Sequence, residues 1–193
     1  MQKNRISMFK PKMFGSLRAL VFSAIFATLS IIFGKFLAIP LGTVMRFSLE
    51  NLPIMMSSMA FGPFCGMLTG IVADLIGCVL VGYEINPIVT LGGALIGLTS
   101  GLVYKYARGV KPFLKTILSV IVAHAVGSVV VKTIGLSAFY NIPFVLLMLY
   151  RFLNYLAVGA LEIIVLYYLF KNSKIREILR ISDEKRKEDK DGL

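Results

Sequence analysis

Residues 63–82 read PFCGMLTGIVADLIGCVLVG, a run of twenty residues in which Asp74 is the single charge. About 20 consecutive apolar residues suffice for an α-helix to cross the hydrocarbon core of a bilayer. The stretch therefore predicts a transmembrane helix. Comparable runs lie on both sides of it, at approximately 17–37, 88–107, 112–134 and 144–171.

A sixth apolar run, at 45–60, is shorter and carries Arg46, Glu50 and Pro53. Its length and charges suit a tilted or partly re-entrant segment as well as a full span. Together the runs predict an all-α fold, a polytopic membrane helical bundle of about six transmembrane helices over residues 17–171. We expect a basic cytoplasmic N-terminus at 1–16 and a charged cytoplasmic tail at 172–193.

The composition agrees with a membrane protein, since 57% of the 193 residues are hydrophobic and 16% are charged. A soluble domain carries about 25% charged residues. Seventeen of the 21 basic residues flank apolar runs, and with six spans all seventeen fall on the same side of the membrane. They are Lys3, Arg5, Lys10, Lys12, Arg18, Lys105, Arg108, Lys111, Lys115, Lys171, Lys174, Arg176, Arg180, Lys185, Arg186, Lys187 and Lys190. By the positive-inside rule that side is cytoplasmic. We therefore expect a multi-pass protein of the cell membrane with both termini in the cytoplasm. This distribution argues against a nucleic-acid partner.

Glycines recur every four residues in two of the predicted spans. They form the series Gly62, Gly66, Gly70 and the series Gly93, Gly97, Gly101. Small residues at this spacing let helix backbones approach closely in lipid. We interpret both series as packing surfaces.

Charged residues at membrane depth are expensive and usually face a cavity or a partner. Arg46, Lys132 and Arg151 fall on three different predicted helices, all in the extracellular third. Asn154 and Tyr155 share the helix face of Arg151, by the three- and four-residue rule. Further polar and aromatic residues are predicted near the same level: Phe47, Tyr83, Asn86, Phe139, Tyr140 and Tyr150. They suggest a cup, open to the outside, whose cations suit carboxylates and whose rings suit a flat heterocycle.

Several simpler interpretations stay open for these residues. Arg46 and Glu50, four residues apart, could neutralise each other. Lys132 could extend to the lipid headgroups instead of lining a cavity. Asp74 could serve structure by pairing with a cation or a hydroxyl group. His124 is more typical of a hydrogen-bonded core residue than of a ligand, and Glu162 is predicted near the cytoplasmic interface, away from the cup.

Catalytic and metal-binding motifs point away from an enzyme. The sequence has no G-x-x-x-x-G-K-[ST] loop, no H-E-x-x-H and no G-x-S-x-G. One histidine and two cysteines, Cys65 and Cys78, thirteen residues apart in one span, predict no metal site. We expect neither a catalytic residue nor a cofactor. A binding or transport role is favoured over a standalone membrane enzyme.

Four segments resemble the substrate-binding S components of energy-coupling factor (ECF) vitamin transporters. They are RFSLENLPIMMSSMAFGPFCGMLTG (46–70) with ADLIG (73–77), GYEINPIVTLGGALIG (82–97), SVVVKTIGL (128–136) and RFLNY (151–155). The LP…FGP…G…G…D pattern is shared by several S-component families. The Asn86–Pro87 pair and the KTIGL segment make the resemblance closest to the folate-specific family.

The resemblance implies a six-helix protein that binds a vitamin from the extracellular side and does not change it chemically. It implies association with a transmembrane coupling subunit and two cytoplasmic ATPases. The family's A-x-x-x-A contact motif on the first helix corresponds here to SAIFATLS, residues 23–30, with threonine replacing the second alanine if Ala24 is the first. The predicted partner-contact residues are small: Ala19, Ser23, Ala24, Ala27 and Thr28.

The sequence thus predicts the vitamin-binding subunit of an ATP-driven importer, with folate as the expected ligand. The predicted substrate-binding residues are Arg46, Tyr83, Asn86, Lys132, Arg151, Asn154 and Tyr155. Another vitamin, such as pantothenate or riboflavin, is the alternative within the class. A secondary transporter is a further alternative, although such proteins are usually larger and built from internal repeats.

Overall fold

The computed structural model describes residues 17–41, 45–107 and 109–179. Its helices are α1 (Leu17–Phe36), α2 (Asn51–Phe61), α3 (Pro63–Val81), α4 (Pro87–Tyr106), α5 (Pro112–Tyr140), α6 (Phe144–Lys171) and α7 (Ser173–Leu179). An antiparallel hairpin of β1 (Ile39–Leu41) and β2 (Met45–Phe47) connects α1 to α2. The predicted N-terminal segment 1–16, residues 180–193 of the predicted tail and Arg108 lie outside the described residues.

Five of these helices are long and apolar enough to cross a membrane, namely α1, α3, α4, α5 and α6. Their outer faces expose large apolar side chains, including Leu20, Val79, Val145 and Leu156. Water would penalise such a surface, whereas lipid accommodates it. The protein is therefore a multi-pass helical membrane bundle, as the sequence predicts.

The second predicted span, 45–60, differs from the others. Its first residues form β2, and its helix, α2, has only 11 residues, too few to cross a bilayer. Every residue of α2 except Met56 is buried. A helix that is buried all round belongs inside a bundle. This segment is thus a short central helix enclosed by the longer ones, and the hairpin is a small departure from the all-α prediction.

Prolines and glycines set the helix ends. Pro63, Pro87 and Pro112 occupy the first position of α3, α4 and α5, where the missing N–H is not needed. Gly82 ends α3 in a left-handed conformation, φ 68°, that favours glycine. Gly62, also at positive φ (104°), forms the break between α2 and α3 and has no helix backbone against it.

The other glycines of the two predicted series bring α3 against α4. A Cβ on Gly97 would overlap the backbone of Gly66, and a Cβ on Gly70 would overlap that of Gly93. Gly101 similarly meets the backbone of Pro63. Backbones this close leave no room for a side chain, so the packing interpretation holds for these five glycines. Gly62 is a turn residue instead.

Hydroxyl pairs add polar contacts between the buried helices. Ser58 of α2 lies 2.7 Å from Ser100 of α4, Oγ to Oγ. Ser57 of α2 lies 2.8 Å from Thr69 of α3. Interhelical hydroxyl contacts of this kind stabilise helix pairs in lipid by roughly 0.6 kcal/mol each. They fix α2 in the centre of the bundle, with its N-terminus beneath the hairpin.

Candidate functional site

A cavity opens at the end of the bundle that carries the β1–β2 hairpin, the 82–86 connection and the 141–143 connection. We call this the cavity end. The cavity encloses about 590 Å³ of empty space, the open space at its mouth included. Its lining consists of Lys35, Arg46, Ser48, Glu50, Asp74, Val89, Lys132, Leu136, Arg151, Asn154 and Tyr155.

The cavity contains one direct ion pair. The Lys132 ammonium donates to the Glu50 carboxylate, with Nζ 2.8 Å from Oε1. Gly34 makes room for the same carboxylate, because a Cβ at that position would lie 2.7 Å from Oε2. Lys132 is only 6% exposed, so it does not extend to the headgroups. Glu50 forms its direct ion pair with Lys132 rather than with Arg46, which is close enough to attract the same carboxylate.

Two cations flank the ring of Tyr83. Arg46 donates to the Gly34 carbonyl at 3.3 Å, and its guanidinium lies 5.1 Å from the centre of the Tyr83 ring. The Lys35 ammonium lies 5.4 Å from the same ring and 3.7 Å from the Cys78 sulfur. These partners are uncharged, and the Glu50 carboxylate is close enough to attract both cations without forming a direct ion pair with either.

A third cation with uncharged partners is Arg151, which is 7% exposed. Its Nε donates to the Ser128 carbonyl at 3.0 Å, and its Nη2 donates to the Tyr155 hydroxyl at 3.3 Å. Asn154, three residues after Arg151 on α6, donates to the Arg46 carbonyl at 3.4 Å. Its side-chain oxygen is buried and has no hydrogen-bond partner within the described residues. That oxygen is an available acceptor beside the cations.

The cavity continues inward as a recess of about 300 Å³ of empty space. Lys35, Glu50, Asp74 and Lys132 line both parts, while the recess adds small and apolar residues: Ser30, Ile31, Ile54, Gly70, Ala73 and Gly93. One oxygen of Asp74 accepts from the Thr90 hydroxyl at 2.6 Å. Asp74 therefore has the hydroxyl partner that the sequence left open, and it lies on the cavity wall as well.

The charges of the lining do not balance. Lys35, Arg46, Lys132 and Arg151 supply four positive charges, and Glu50 and Asp74 supply two negative ones. Two positive charges remain. Buried charge without a counterion is costly in a bundle surrounded by lipid. The cavity is therefore suited to an anionic ligand, above all to one with two negative charges.

Two of the seven predicted binding residues lie outside the lining. Asn86 is the N-cap of α4: its oxygen accepts from the N–H groups of Ile88 and Val89, and its amide donates to the Gly135 carbonyl at 2.9 Å. These three hydrogen bonds serve the fold. Tyr83 is half exposed and touches the site only through the two cations.

Most of the aromatic side chains that the sequence predicts near this level do not line the cavity. Phe139, Tyr140 and Tyr150 are all exposed. Among the described residues, Tyr155 is the aromatic side chain of the cavity, and it stacks on His124 at 4.6 Å between ring centres.

Two helix irregularities border the site. The last turn of α1, Ile32–Phe36, and the middle of α5, His124–Val131, are π-helical. The i→i+5 hydrogen bonding of a π segment widens the turn and is frequent at functional sites. The first segment carries Lys35. The second leads directly into Lys132, on the same face as His124 and Ser128.

Sequence reasoning omitted six lining residues from the binding set: Lys35, Ser48, Glu50, Asp74, Val89 and Leu136. For Lys35, Glu50 and Asp74 a signal existed, since each is a charge at membrane depth. For Ser48, Val89 and Leu136 no local signal distinguishes them from other bundle residues, and only the packing of the helices places them at the cavity.

The predicted partner-contact residues of α1 divide between two faces. Ala19 and Ala27 are buried against the rest of the chain, and Ser23 lies 3.3 Å from Ser57 of α2, Oγ to Oγ. Ala24 and Thr28 are exposed. Ala19, Ser23 and Ala27 therefore serve internal packing, and the outward small surface is limited to Ala24 and Thr28.

A membrane bundle with a charged cavity at one end has the architecture of a substrate-binding membrane subunit. The family model described as ECF transporter, substrate-specific component, matches residues 18–173. The chain belongs to this family, whose members are substrate-binding subunits of transporters. A search of curated proteins found no match.

Solved structures share the fold. The crystal structure of FolT bound with folic acid superposes with a TM-score of 0.66 at 23% identity, covering 80% of this chain and 93% of that one. The S component of a bacterial ECF transporter gives 0.61 at 18%, covering 80% and 96%. The S component for biotin from an ECF-type ABC transporter gives 0.59 at 19%, covering 81% and 92%.

Proposed function

We propose that this protein is the folate-binding subunit of an ATP-driven ECF importer. The observation that carries the proposal is the excess of two positive charges in the cavity. Folate has two carboxylates on its glutamate part, and both are ionised at neutral pH. A ligand with two negative charges leaves no net charge in the site, which removes the cost of burying unpaired cations.

The same criterion separates folate from the alternatives. Pantothenate and biotin carry one carboxylate each, and riboflavin carries none. Each would leave at least one cation in the cavity without a counterion. The similarity in fold to FolT bound with folic acid supports folate, although the biotin S component has a similar fold as well.

The distribution of charge along the cavity suggests an orientation for the ligand. Arg46 and Arg151, with uncharged protein partners, are placed to bind the two carboxylates. Asn154 and Tyr155 lie beside them and Lys132 lies deeper, all as part of the proposed contact set. We place the flat pterin ring in the wider part of the cavity, beside Val89, Leu136 and Tyr155. The carboxylates of Glu50 and Asp74 there are acceptors for its amino group.

Calorimetry on the detergent-purified protein tests the proposal. The ligands are folate, its bis-amide (both glutamate carboxylates replaced by carboxamides), pantothenate, biotin and riboflavin. We expect folate to bind at least a hundredfold more tightly than the bis-amide, because two charge-assisted contacts are each worth roughly 1.5–3 kcal/mol. Tighter binding of any other vitamin, or equal binding of folate and its bis-amide, would reject folate as the substrate.

The transport role requires partners that supply energy. We propose a transmembrane coupling subunit and two cytoplasmic ATPase subunits, with the coupling subunit contacting α1 around Ala24 and Thr28. Both residues are small and exposed, and Thr28 satisfies its own hydroxyl by donating to the Ala24 carbonyl at 3.0 Å. A surface of small residues whose hydrogen-bonding groups are already satisfied is suited to close helix contact.

We propose that the cavity end faces the outside of the cell and that both termini are cytoplasmic. The connection at 107–111 and α7 lie at the opposite end, where the basic residues are concentrated. A cysteine placed at Glu84, an exposed residue of the cavity end, should react with a membrane-impermeant maleimide in intact cells. One placed at the exposed Lys111 should not. The unaltered protein is the control, since Cys65 and Cys78 are buried, and the reverse pattern would invert the orientation.

A further inference from the structure

Two buried polar residues lie below the cavity, outside its lining. Glu162 of α6 is fully buried, and one of its carboxylate oxygens bonds to Nε2 of His124 on α5. The other oxygen, Oε1, has no hydrogen-bond partner within the described residues. Glu162 lies about 16 Å from Arg151 along α6, at 1.5 Å per residue. Ionisable groups at such depth are expensive, and they are commonly retained for a function.

His124 connects Glu162 to the floor of the cavity through two contacts. Its Nδ1 lies 3.0 Å from the Ser128 hydroxyl, and its ring stacks on Tyr155 with 4.6 Å between centres and 27° between planes. Ser128 and Tyr155 are also the two hydrogen-bond acceptors of Arg151. The guanidinium lies 5.3 Å from the centre of the Tyr155 ring. A continuous set of contacts thus leads from Glu162 to the proposed carboxylate-binding arginine.

We propose that His124 and Glu162 are positioning residues that fix Arg151 at the cavity wall and so set the preference for an anionic ligand. The inference rests on the proposed function, because it concerns how the same site holds its ligand's carboxylate. Glu162 orients the His124 ring, the ring supports Tyr155, and Tyr155 together with the Ser128 carbonyl directs the guanidinium.

The physical basis is the length of the arginine side chain. An unsupported guanidinium has several rotatable bonds and loses conformational entropy when it orders on a ligand. Groups that are already held by packing and hydrogen bonds avoid that cost at binding. The contacts of Arg151 are uncharged, so they order it and leave its charge for the ligand. Removing the support should therefore weaken binding of the carboxylate specifically.

A purely structural role makes a different prediction. If the Glu162–His124 contact only joins α5 to α6, its loss loosens the bundle and weakens all ligands alike. Folate and its bis-amide separate the two cases, because they share a shape and differ in the carboxylates. The ratio of their dissociation constants reports how well Arg151 engages the carboxylate.

Two variants test the proposal by calorimetry. Glu162→Gln keeps the shape and removes the carboxylate. The double variant His124→Leu, Glu162→Leu removes the whole pair without leaving a buried charge, a type of replacement that proteins often tolerate. The control is Ser119→Ala, a buried serine on α5 whose hydroxyl bonds only to the Lys115 carbonyl, 2.8 Å away on its own helix.

We expect the double variant to bind folate at least tenfold more weakly while its affinity for the bis-amide changes less than twofold. Glu162→Gln should show the same direction, and Ser119→Ala should change neither affinity. Equal weakening of both ligands, or an unchanged ratio, would overturn the positioning role.

A second measurement does not depend on the ligand. Phenylglyoxal modifies accessible arginines, and mass spectrometry reports its rate at Arg151. Release of the guanidinium in the double variant should increase that rate severalfold, whereas Ser119→Ala should leave it unchanged. If the unaltered protein does not bind folate, the proposed substrate is wrong, and this rate alone decides the inference. An unchanged rate of Arg151 modification in the double variant would refute the positioning role.

Discussion

Replacing Arg151 with alanine is expected to weaken folate binding by more than about 1.5 kcal/mol, at least roughly tenfold, since a buried charge-assisted hydrogen bond is lost. Arg151 is 7% exposed and its two protein acceptors are uncharged, so the proposed ligand carboxylate is its counterion. Calorimetry on the purified variant measures the effect. Arg151→Lys should recover only part of the affinity, because lysine keeps the charge but lacks the planar fork of donors.

The matched control is Lys171→Ala, an exposed cation at the far end of the same helix that contacts the ring of Tyr167. It should leave folate affinity unchanged. Arg46→Ala should also weaken binding, because Arg46 lines the cavity and the direct ion pair of Glu50 is with Lys132. Unchanged folate affinity in Arg151→Ala would remove Arg151 from the proposed site.

The second large effect concerns α1, where a tryptophan should destabilise the protein at one small residue, Ala27, and be tolerated at another, Ala24. Ala27 is 4% exposed and packs with Ile31 and Ala73. Ala27→Trp should destabilise the protein by roughly 1–3 kcal/mol or more, because the neighbouring backbones leave no room. Ala24 is exposed, so Ala24→Trp should leave folding and folate binding intact. Thermal unfolding and calorimetry on the two purified variants measure this contrast.

The same pair of variants tests the proposed coupling surface. A tryptophan at Ala24 holds a neighbouring helix away, so folate uptake by the assembled importer should fall severalfold. Co-purification with the coupling subunit should fall in parallel. Ile25→Trp, at an exposed large residue of α1, serves as a size-matched control. Normal uptake in Ala24→Trp would mean that this face of α1 contacts lipid alone.

Much of the fold could be predicted from local sequence because the bilayer constrains it. The helices α1, α3, α4 and α6 begin and end within about one or two residues of the predicted runs. Apolar length sets each span, and a proline begins three of the helices. There are two exceptions: α5 continues six residues beyond its predicted end at 134, and 45–60, an apolar run that reads as a span, forms a strand and a short buried helix. Local hydropathy does not distinguish burial in protein from burial in lipid.

The site was less accessible to prediction than the fold. Depth along each span identified Arg46, Lys132 and Arg151 as cations near one end, and all three line the cavity. The sequence does not reveal their partners. Glu50 lies four residues from Arg46, yet it bonds to Lys132, 82 positions away in the chain. Which contact forms depends on how the packed helices position Lys132 of α5 beside the residue that precedes α2.

The sequence by itself determined a multi-pass helical bundle, two glycine series suited to close helix packing, and the concentration of cations at one end. These follow from length, periodicity and the cost of charge in lipid, all of which act within a single segment. Only the tertiary structure decided which face of α1 is outward, that Glu50 pairs with Lys132, and that six positive and negative groups leave two positive charges in one cavity. These depend on the relative rotation of packed helices, which brings together residues that no local pattern relates.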